Sequence, residues 1–412
     1  MVKKGSEDIP EISIGLVGHV DHGKTTLNER LSGKWTDTHS EEQKRGITIK
    51  LGYSDATIFK FKDGHFATKR KDPATGEEGT FVRKVSFVDV PGHESLMATM
   101  MSGAKIMDGA ILLVAANETC PQPQTREHLA ALEISGIKNV VVVQNKIDII
   151  TKEKAVENYN QIKKFLSTSS YKDVPIIPLS ALHGVNVDVL LQAIEEEIPT
   201  PKRDDTAAPL MIIARSFDVN KPGTTIEALQ GGVLGGALIQ GSLSKGDKIE
   251  ISPGIVKEKN NQLVAEPIIT TITKVITGSF ETKQAFPGGT ISLMTELDPS
   301  LTNADSLVGN LVGHPGKLPP VWTELALKAE LFEQVVGSSE EVKVGTIASG
   351  EVLLMTCNAA KTAGVVRDTR KGIISCKLKI PICASIGDKV SLSRRVGNRF
   401  RLIGYGVIVE KK

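Results

Sequence analysis

The sequence predicts an α/β domain built round a phosphate-binding loop, followed by two β-barrel domains. Three observations carry that expectation. An apolar run, Ile12 to Val17, feeds directly into Gly18-His19-Val20-Asp21-His22-Gly23-Lys24-Thr25, which has the G-x-x-x-x-G-K-[ST] spacing of a polyphosphate cradle. Strand patterns alternate with helical ones as far as about Glu197. After the Pro-containing break Ile198 to Asp205, the texture changes to short β-rich runs broken by Gly and Pro.

The glycines of the first motif let backbone N–H groups curl round an anion, Lys24 adds a point charge, and Thr25 offers a hydroxyl to Mg²⁺. A helix starting near Lys24 aims its positive end at the same anion. At average residue usage such a pattern arises by chance in a chain of this length about one per cent of the time. Further along, Val85 to Val88 forms an apolar strand that ends in Asp89-Val90-Pro91-Gly92-His93, placing a carboxylate at a strand's carboxyl end, where open α/β sheets bind ligands. Asp89 is expected to hold the magnesium through water, and Gly92 to offer an N–H to a terminal phosphate.

A third strand, Ala110 to Ala115, precedes a fourth, Val140 to Val143, which runs into Asn145-Lys146-Ile147-Asp148. The two oxygens of Asp148 match the ring N–H and exocyclic amine of guanine, donors that adenine lacks. Ser180-Ala181-Leu182, after Ile176 to Leu179, is placed to offer a backbone N–H to the guanine carbonyl. Each piece alone has a bland reading as a loop or strand-to-turn signal. In this order, each at the end of an apolar strand, they predict a P-loop GTPase domain that binds GTP or GDP with Mg²⁺.

Between the first two motifs lies a polar stretch, Thr36 to Gly46, ending in Ile47-Thr48-Ile49, where Thr48 is expected to close on Mg²⁺ and the γ-phosphate. His93 stands where small signalling GTPases carry a water-orienting Gln, and Asp-x-Pro-Gly-His marks the translation-factor branch. The stretches Trp35 to Glu42, Ala115 to Glu118 with Pro121 to His128, Arg215 to Gly223, and Pro319 to Trp322 are the most specific. Through them nearly the whole chain resembles the family of gamma subunits of archaeal and eukaryotic translation initiation factor 2, the archaeal members more closely.

That resemblance implies a nucleotide site made of Asp21, His22, Gly23, Lys24, Thr25 and Thr26 with Gly92, Asn145, Lys146, Asp148, Ser180, Ala181 and Leu182. It implies Thr25 and Thr48 on the main Mg²⁺, a second cation near Asp21 and the Gly46 carbonyl, and Val20 with Ile47 as an apolar gate that retracts a catalytic His93. It further implies initiator methionyl-tRNA as cargo, the small ribosomal subunit as destination, and alpha and beta subunits as partners. An elongation-type or selenocysteine-specific aminoacyl-tRNA carrier is the nearest alternative. The chain departs from its family in one respect: many members carry two Cys-x-x-Cys pairs before the second motif strand, but residues 58–84 contain no cysteine, so no structural zinc is expected and His65 reads as a surface histidine.

The remaining properties bound the answer. With 412 residues, 40% of them hydrophobic and 24% charged, two or three domains with their own cores are expected, here 1–203, 204–320 and 321–412. A net charge of +2 excludes a protein that neutralises many phosphates by its overall field, so any RNA contact must be local. Cys120, Cys357, Cys376 and Cys383 stand at no metal-ligand spacing and read as free thiols of a reducing compartment. No apolar run is long enough for a signal peptide or a membrane helix, so the expectation is a soluble cytoplasmic protein without a membrane partner.

Two features beyond the first domain stay open from sequence alone. Gly231, Gly232, Gly235 and Gly236 either let a barrel backbone approach a terminal adenosine or bend barrel strands. Arg394, Arg395, Arg399 and Arg401, in a hairpin turning at Gly397-Asn398, are either a solvated face or a contact for tRNA or ribosomal RNA phosphates.

Overall fold

The computed structural model describes residues 7–36, 48, 50–93, 97–259, 262–278, 280–337, 342–370, 372–397 and 399–410. The chain divides into two compact units, 2–202 and 203–412.

Among the described residues the first unit is a seven-stranded sheet with five α-helices. Its elements run β1 (Ile12–Gly18), α1 (Lys24–Ser32), β2 (Gly52–Lys60), β3 (Phe66–Ala67), β4 (Thr80–Asp89), α2 (Met97–Ala104), β5 (Gly109–Ala115), α3 (Pro123–Ser135), β6 (Asn139–Asn145), α4 (Lys152–Leu166), β7 (Ile176–Pro178) and α5 (Val187–Glu197). The sheet order is β3-β2-β4-β1-β5-β6-β7. From β4 to β7 all pairs are parallel, and β2 adds to β4 antiparallel. Every residue of β1 and β5 is buried, which explains why both read as unbroken apolar runs rather than alternating ones. Ile12, Ile14 and Leu16 pack with Leu27 and Leu31 of α1 in a core that also holds Phe87, Ile111, Val141 and Ile194.

Helix ends follow local chemistry. Thr151 accepts a hydrogen bond from the Lys154 N–H at the start of α4, while Lys163 and Lys164 sit in its last turn, where a positive charge complements the helix dipole. α3 opens on Pro123 and stops at Gly136 in the left-handed region, φ 75°.

The sequence predicts one helix from Glu94 to Met107, whereas the described helix is Met97–Ala104, and residues 94–96 lie outside the described residues. The helix stops because the following residues are bound to β1. Asp108 donates its N–H to Ser13 O (2.8 Å) and accepts the Ser13 N–H on Oδ2 (2.9 Å). Met107 lies on Gly15, where a Cβ would come within 2.1 Å of its sulfur, and Met100 and Met101 are buried with it, so these methionines are core packing. His65 is only partly exposed: its ring stacks on Phe61 with centroids 4.4 Å apart, and Nδ1 lies 2.5 Å from Asp63 Oδ1.

The second unit holds two barrels. The first consists of β8 (Leu210–Phe217), β9 (Val233–Gln240), β10 (Leu243–Ser244), β11 (Lys248–Lys259), β12 (Gln262–Thr277), β13 (Phe280–Thr282), β14 (Gln284–Ala285), β15 (Thr290–Thr295) and β16 (Leu311–Gly313). The order β11-β16-β8-β9-β15-β12 closes through the β11–β12 pair. The second barrel is β17 (Val321–Leu331), β18 (Val352–Cys357), β19 (Ala360–Arg370), β20 (Ile373–Cys383), β21 (Lys389–Val396) and β22 (Arg399–Val409), closed in the order β17-β20-β19-β18-β21-β22. Each has its own apolar core, centred on Leu234, Ile249 and Leu293 in one and on Leu325, Met355 and Leu392 in the other. The four cysteines form no disulfide.

The structure shows the intramolecular contacts of both features. A Cβ on Gly231 would lie 1.9 Å from Thr295 O, and one on Gly236 would lie 1.9 Å from Ile212 O, so close strand packing requires these glycines. Gly235 has room, its nearest neighbour being Arg215 Cβ at 3.5 Å. In the arginine hairpin, Arg394 is half-buried and bound to its own barrel: Nε donates to Glu351 Oε1 (2.5 Å) and Nη2 to Thr346 O (2.9 Å). Arg395 and Arg399 of the same hairpin are exposed. Asn398 lies outside the described residues.

Candidate functional site

Parallel pairing brings the sequence motifs to one edge. β1 pairs Leu16 with Asp89 on one side and Gly18 with Leu113 on the other; β5 pairs Ala115 with Asn145, and β6 pairs Gln144 with Pro178. The phosphate loop, Asp89-x-x-Gly92, Asn145-x-x-Asp148 and Ser180 therefore leave the sheet side by side, at its carboxyl end.

The loop after β1 is shaped by two left-handed residues, Asp21 (φ 61°) and Gly23 (φ 91°). For Asp21 that conformation is strained, and strain of this kind concentrates where a loop is held for function. Lys24 is buried, and its Nζ donates to Gly18 O (3.0 Å) and His19 O (2.6 Å). From behind, His128 of α3 accepts the Gly18 N–H on Nδ1 at 2.7 Å. Burial holds the His128 pKa well below its ordinary value, which keeps Nδ1 an acceptor. Burial also pushes His22 down to about 3, and its neutral ring donates from Nδ1 to Leu113 O at 2.9 Å. Thr26 follows on α1, half-buried.

Oxygen donors gather beside the loop. Thr25 Oγ1 donates to Asp89 Oδ2 at 2.9 Å and lies 3.3 Å from Thr48 Oγ1. Thr36 donates to the same Asp89 oxygen at 2.8 Å; Asn28 Nδ2 donates to Thr36 Oγ1 (3.2 Å), and Ser54 Oγ to Asn28 Oδ1 (2.6 Å). Asp89 and Asn28 are wholly buried, so this chain of hydrogen bonds fixes the carboxylate's direction. Two hydroxyls and a carboxylate, all hard oxygen donors, suit Mg²⁺. Gly92 completes the wall: a Cβ there would lie 2.6 Å from Lys24 Nζ and 2.9 Å from Val20 N, so only glycine brings its backbone this close to the loop. His93 follows, half-buried, as is Val20. Gly46 and Ile47, expected at the second cation and the apolar gate, lie outside the described residues, and Asp21 is exposed.

At the other end Asn145 joins three loops. Its Nδ2 donates to His22 O (2.9 Å) and its Oδ1 accepts the Ala181 N–H (3.0 Å). The Ala181 amide thus has a side-chain partner, a refinement of its expected role toward the base. Lys146 adopts φ 64°, which turns the chain sharply between Asn145 and Asp148. The Ser180 hydroxyl donates to the Asp148 carboxylate and holds its pKa below the usual range. His183 Nε2 lies 3.6 Å from Asp148 Oδ2, and Leu182 is 63% exposed.

Sequence reasoning missed the supporting residues. Asn28 and Ser54 carry no motif, and the family stretches that contain Thr36 and His128 assigned neither a role; His128 lies in a helix remote in sequence from the loop it braces. No local signal marks them: each has an acidic residue beside it, Glu29, Asp37, Asp55 and Glu127, so nothing in the pattern announces burial.

Comparison with known proteins accords with this geometry. The family Elongation factor Tu GTP binding domain matches residues 10–200, and Initiation factor eIF2 gamma, C terminal, matches 323–408. The chain is 55% identical over 401 residues to the translation initiation factor 2 subunit gamma of Pyrococcus furiosus, covering 97% of this chain and 98% of that one. It is 54% identical over 409 residues to the protein of the same name from Methanocaldococcus jannaschii, covering 99% and 100%. Among solved structures, a bacterial selenocysteine-specific elongation factor EF-Sec superposes with TM-score 0.74 at 25% identity, over 98% of this chain and 59% of that one. The elongation factor SelB from Methanococcus maripaludis in complex with the GTP analogue GppNHp gives 0.73 at 21% identity, over 99% and 80%, a likeness of fold.

Proposed function

The chain belongs to the translation initiation factor 2 gamma-subunit family of translational GTPases, and on that footing we propose that it binds initiator methionyl-tRNA and delivers it to the small ribosomal subunit, hydrolysing GTP on start-codon selection. The observation that carries the reading is the meeting of Thr25, Thr48 and Asp89 at one sheet edge with the Asn145 to Asp148 turn.

In this proposal the loop from Asp21 to Thr26 wraps the phosphates and Lys24 neutralises part of their charge. Thr25 and Thr48 would hold Mg²⁺ directly and Asp89 through water; the ion supplies charge neutralisation on the β- and γ-oxygens. Asn145 holds the base loop, Lys146 flanks the base, and Asp148 accepts from guanine while Ser180 keeps its carboxylate ionised. His93 orients the attacking water, and Val20 forms one side of its gate. Because hydrolysis depends on positioning and charge stabilisation, a retracted His93 gives slow turnover until the ribosome engages it.

Alpha and beta subunits of the same factor are the proposed partners, and the cytoplasm the proposed location; among the described residues no helix is long and apolar enough to cross a membrane. A selenocysteine-specific or elongation role is supported only by likeness of fold, whereas the initiation reading draws on relatives more than half identical over nearly full length. Filter binding of charged initiator and elongator tRNAs with GTP and with GDP tests it. The expected result is retention of the initiator species with GTP; equal affinity for both tRNAs would overturn the initiator assignment.

A further inference from the structure

We propose that Arg30 is a positioning residue that aims a backbone donor at the guanine carbonyl. The inference rests on the proposed assignment of Asp148 and residues 180–182 to the base. Arg30 lies on α1, the same helix that presents Lys24 and Thr25 to the phosphates, about 9 Å further along its axis. Its Nε donates to Ala181 O at 3.0 Å and its Nη2 to Leu182 O. Gly184 (φ +74°) passes close beneath the guanidinium: a Cβ there would lie 3.7 Å from Arg30 Cζ.

The consequence follows from the planarity of the peptide. A trans peptide points its C=O and N–H in opposite directions, so drawing Ala181 O toward α1 turns the Leu182 N–H away from it. Holding Leu182 O sets the next plane, in which the His183 N–H donates to Ser180 Oγ at 3.3 Å. The Ala181 N–H is engaged by Asn145. Arg30 therefore fixes the direction of the Leu182 amide, the loop donor suited to the six-position carbonyl of guanine. Because one rigid helix holds the phosphate end by Lys24 and the base loop by Arg30, the guanidinium also sets the distance between the two ends of the site. A fork with two donors at fixed geometry is required, which distinguishes Arg from Lys here.

The test uses the full chain and competition against labelled GDP, with GTP, inosine triphosphate (no exocyclic amine) and 2-aminopurine riboside triphosphate (no carbonyl). For Arg30→Ala, affinity for GTP and GDP should fall alike, by about tenfold. Preference for GTP over the carbonyl-free analogue should shrink by the same factor, preference over the amine-free analogue should hold, and kcat should not change. Arg30→Lys should recover part of the loss. An equal loss for all these nucleotides, the mark of general loosening, would overturn the proposal, as would no loss at all. Asp148→Asn, run in parallel, separates the two levels. If it turns preference toward xanthosine triphosphate while Arg30→Ala leaves carbonyl discrimination intact, only the Arg30 proposal falls. If it leaves GTP affinity unchanged, the base lies elsewhere and both fall.

Discussion

The hydroxyl of Thr36 donates to Asp89 Oδ2 at 2.8 Å, the same oxygen that accepts from Thr25. Thr36 opens the polar stretch that leads to Thr48, so that stretch starts on the carboxylate proposed to hold magnesium through water. Asn28 and Ser54 lock it there.

Replacing Thr36 by Val keeps the shape and removes the donor. Outer-shell partners of this kind contribute about 10- to 100-fold to metal affinity. Thr36→Val should raise the Mg²⁺ concentration needed for half-maximal GDP retention by at least about tenfold, and Thr36→Ser should restore it. A magnesium titration by nucleotide release reads this directly, and superimposable curves would remove Thr36 from the site.

His128 braces the phosphate loop only while neutral. Its unfolded-state pKa is about 6.5 and its folded value is depressed by burial. Between those values the unfolded chain binds a proton that the folded chain does not, so stability is full above the unfolded pKa and falls as pH falls below it. Melting temperatures between pH 8 and 5 should drop in the wild type, with a shallower decline in His128→Asn, whose Oδ1 replaces the acceptor. His128→Ala strands the buried Gly18 N–H and should cost about 1–3 kcal/mol at pH 7.5. Parallel pH profiles for wild type and His128→Asn would show that this imidazole does not carry the dependence.

Asp148→Asn puts an amide donor where guanine also donates. The variant should lose GTP affinity and gain affinity for xanthosine triphosphate, measured by competition against labelled nucleotide. The carboxylate's depressed pKa adds that guanine affinity stays level down to about pH 5, since Asp148 remains ionised there.

Arg394 reaches Glu351 and two backbone carbonyls, so its loss should be felt in stability. Arg394→Ala should destabilise the second barrel by about 1.5–3 kcal/mol, read by denaturant unfolding, with tRNA affinity unchanged under conditions where the chain is folded. A stable variant with weakened RNA binding would return Arg394 to the phosphate-contact reading.

What the sequence disclosed depends on range. The parallel strands were legible because burial on both faces leaves continuous apolar runs such as Ile111-Leu112-Leu113-Val114, and the loops because phosphate binding demands glycine at set positions. β2 was not read. Its alternation over Ser54, Ala56 and Ile58 is short and polar, and only pairing with β4 gives it a place. Braces such as His128 on Gly18 and Arg30 on Ala181 join residues more than 100 positions apart, and no local pattern encodes them. The end of α2 was misjudged for the same reason: the Asp108 to Ser13 pairing overrides a helical periodicity that continues to Met107.

Calorimetric titration of the folded chain with GTP, with and without Mg²⁺, tests the central claim most directly. The account predicts one site per chain whose affinity falls steeply when magnesium is chelated and which Thr25→Ala weakens more for GTP than for GDP. Folded protein that takes up no GTP in the presence of magnesium would contradict it.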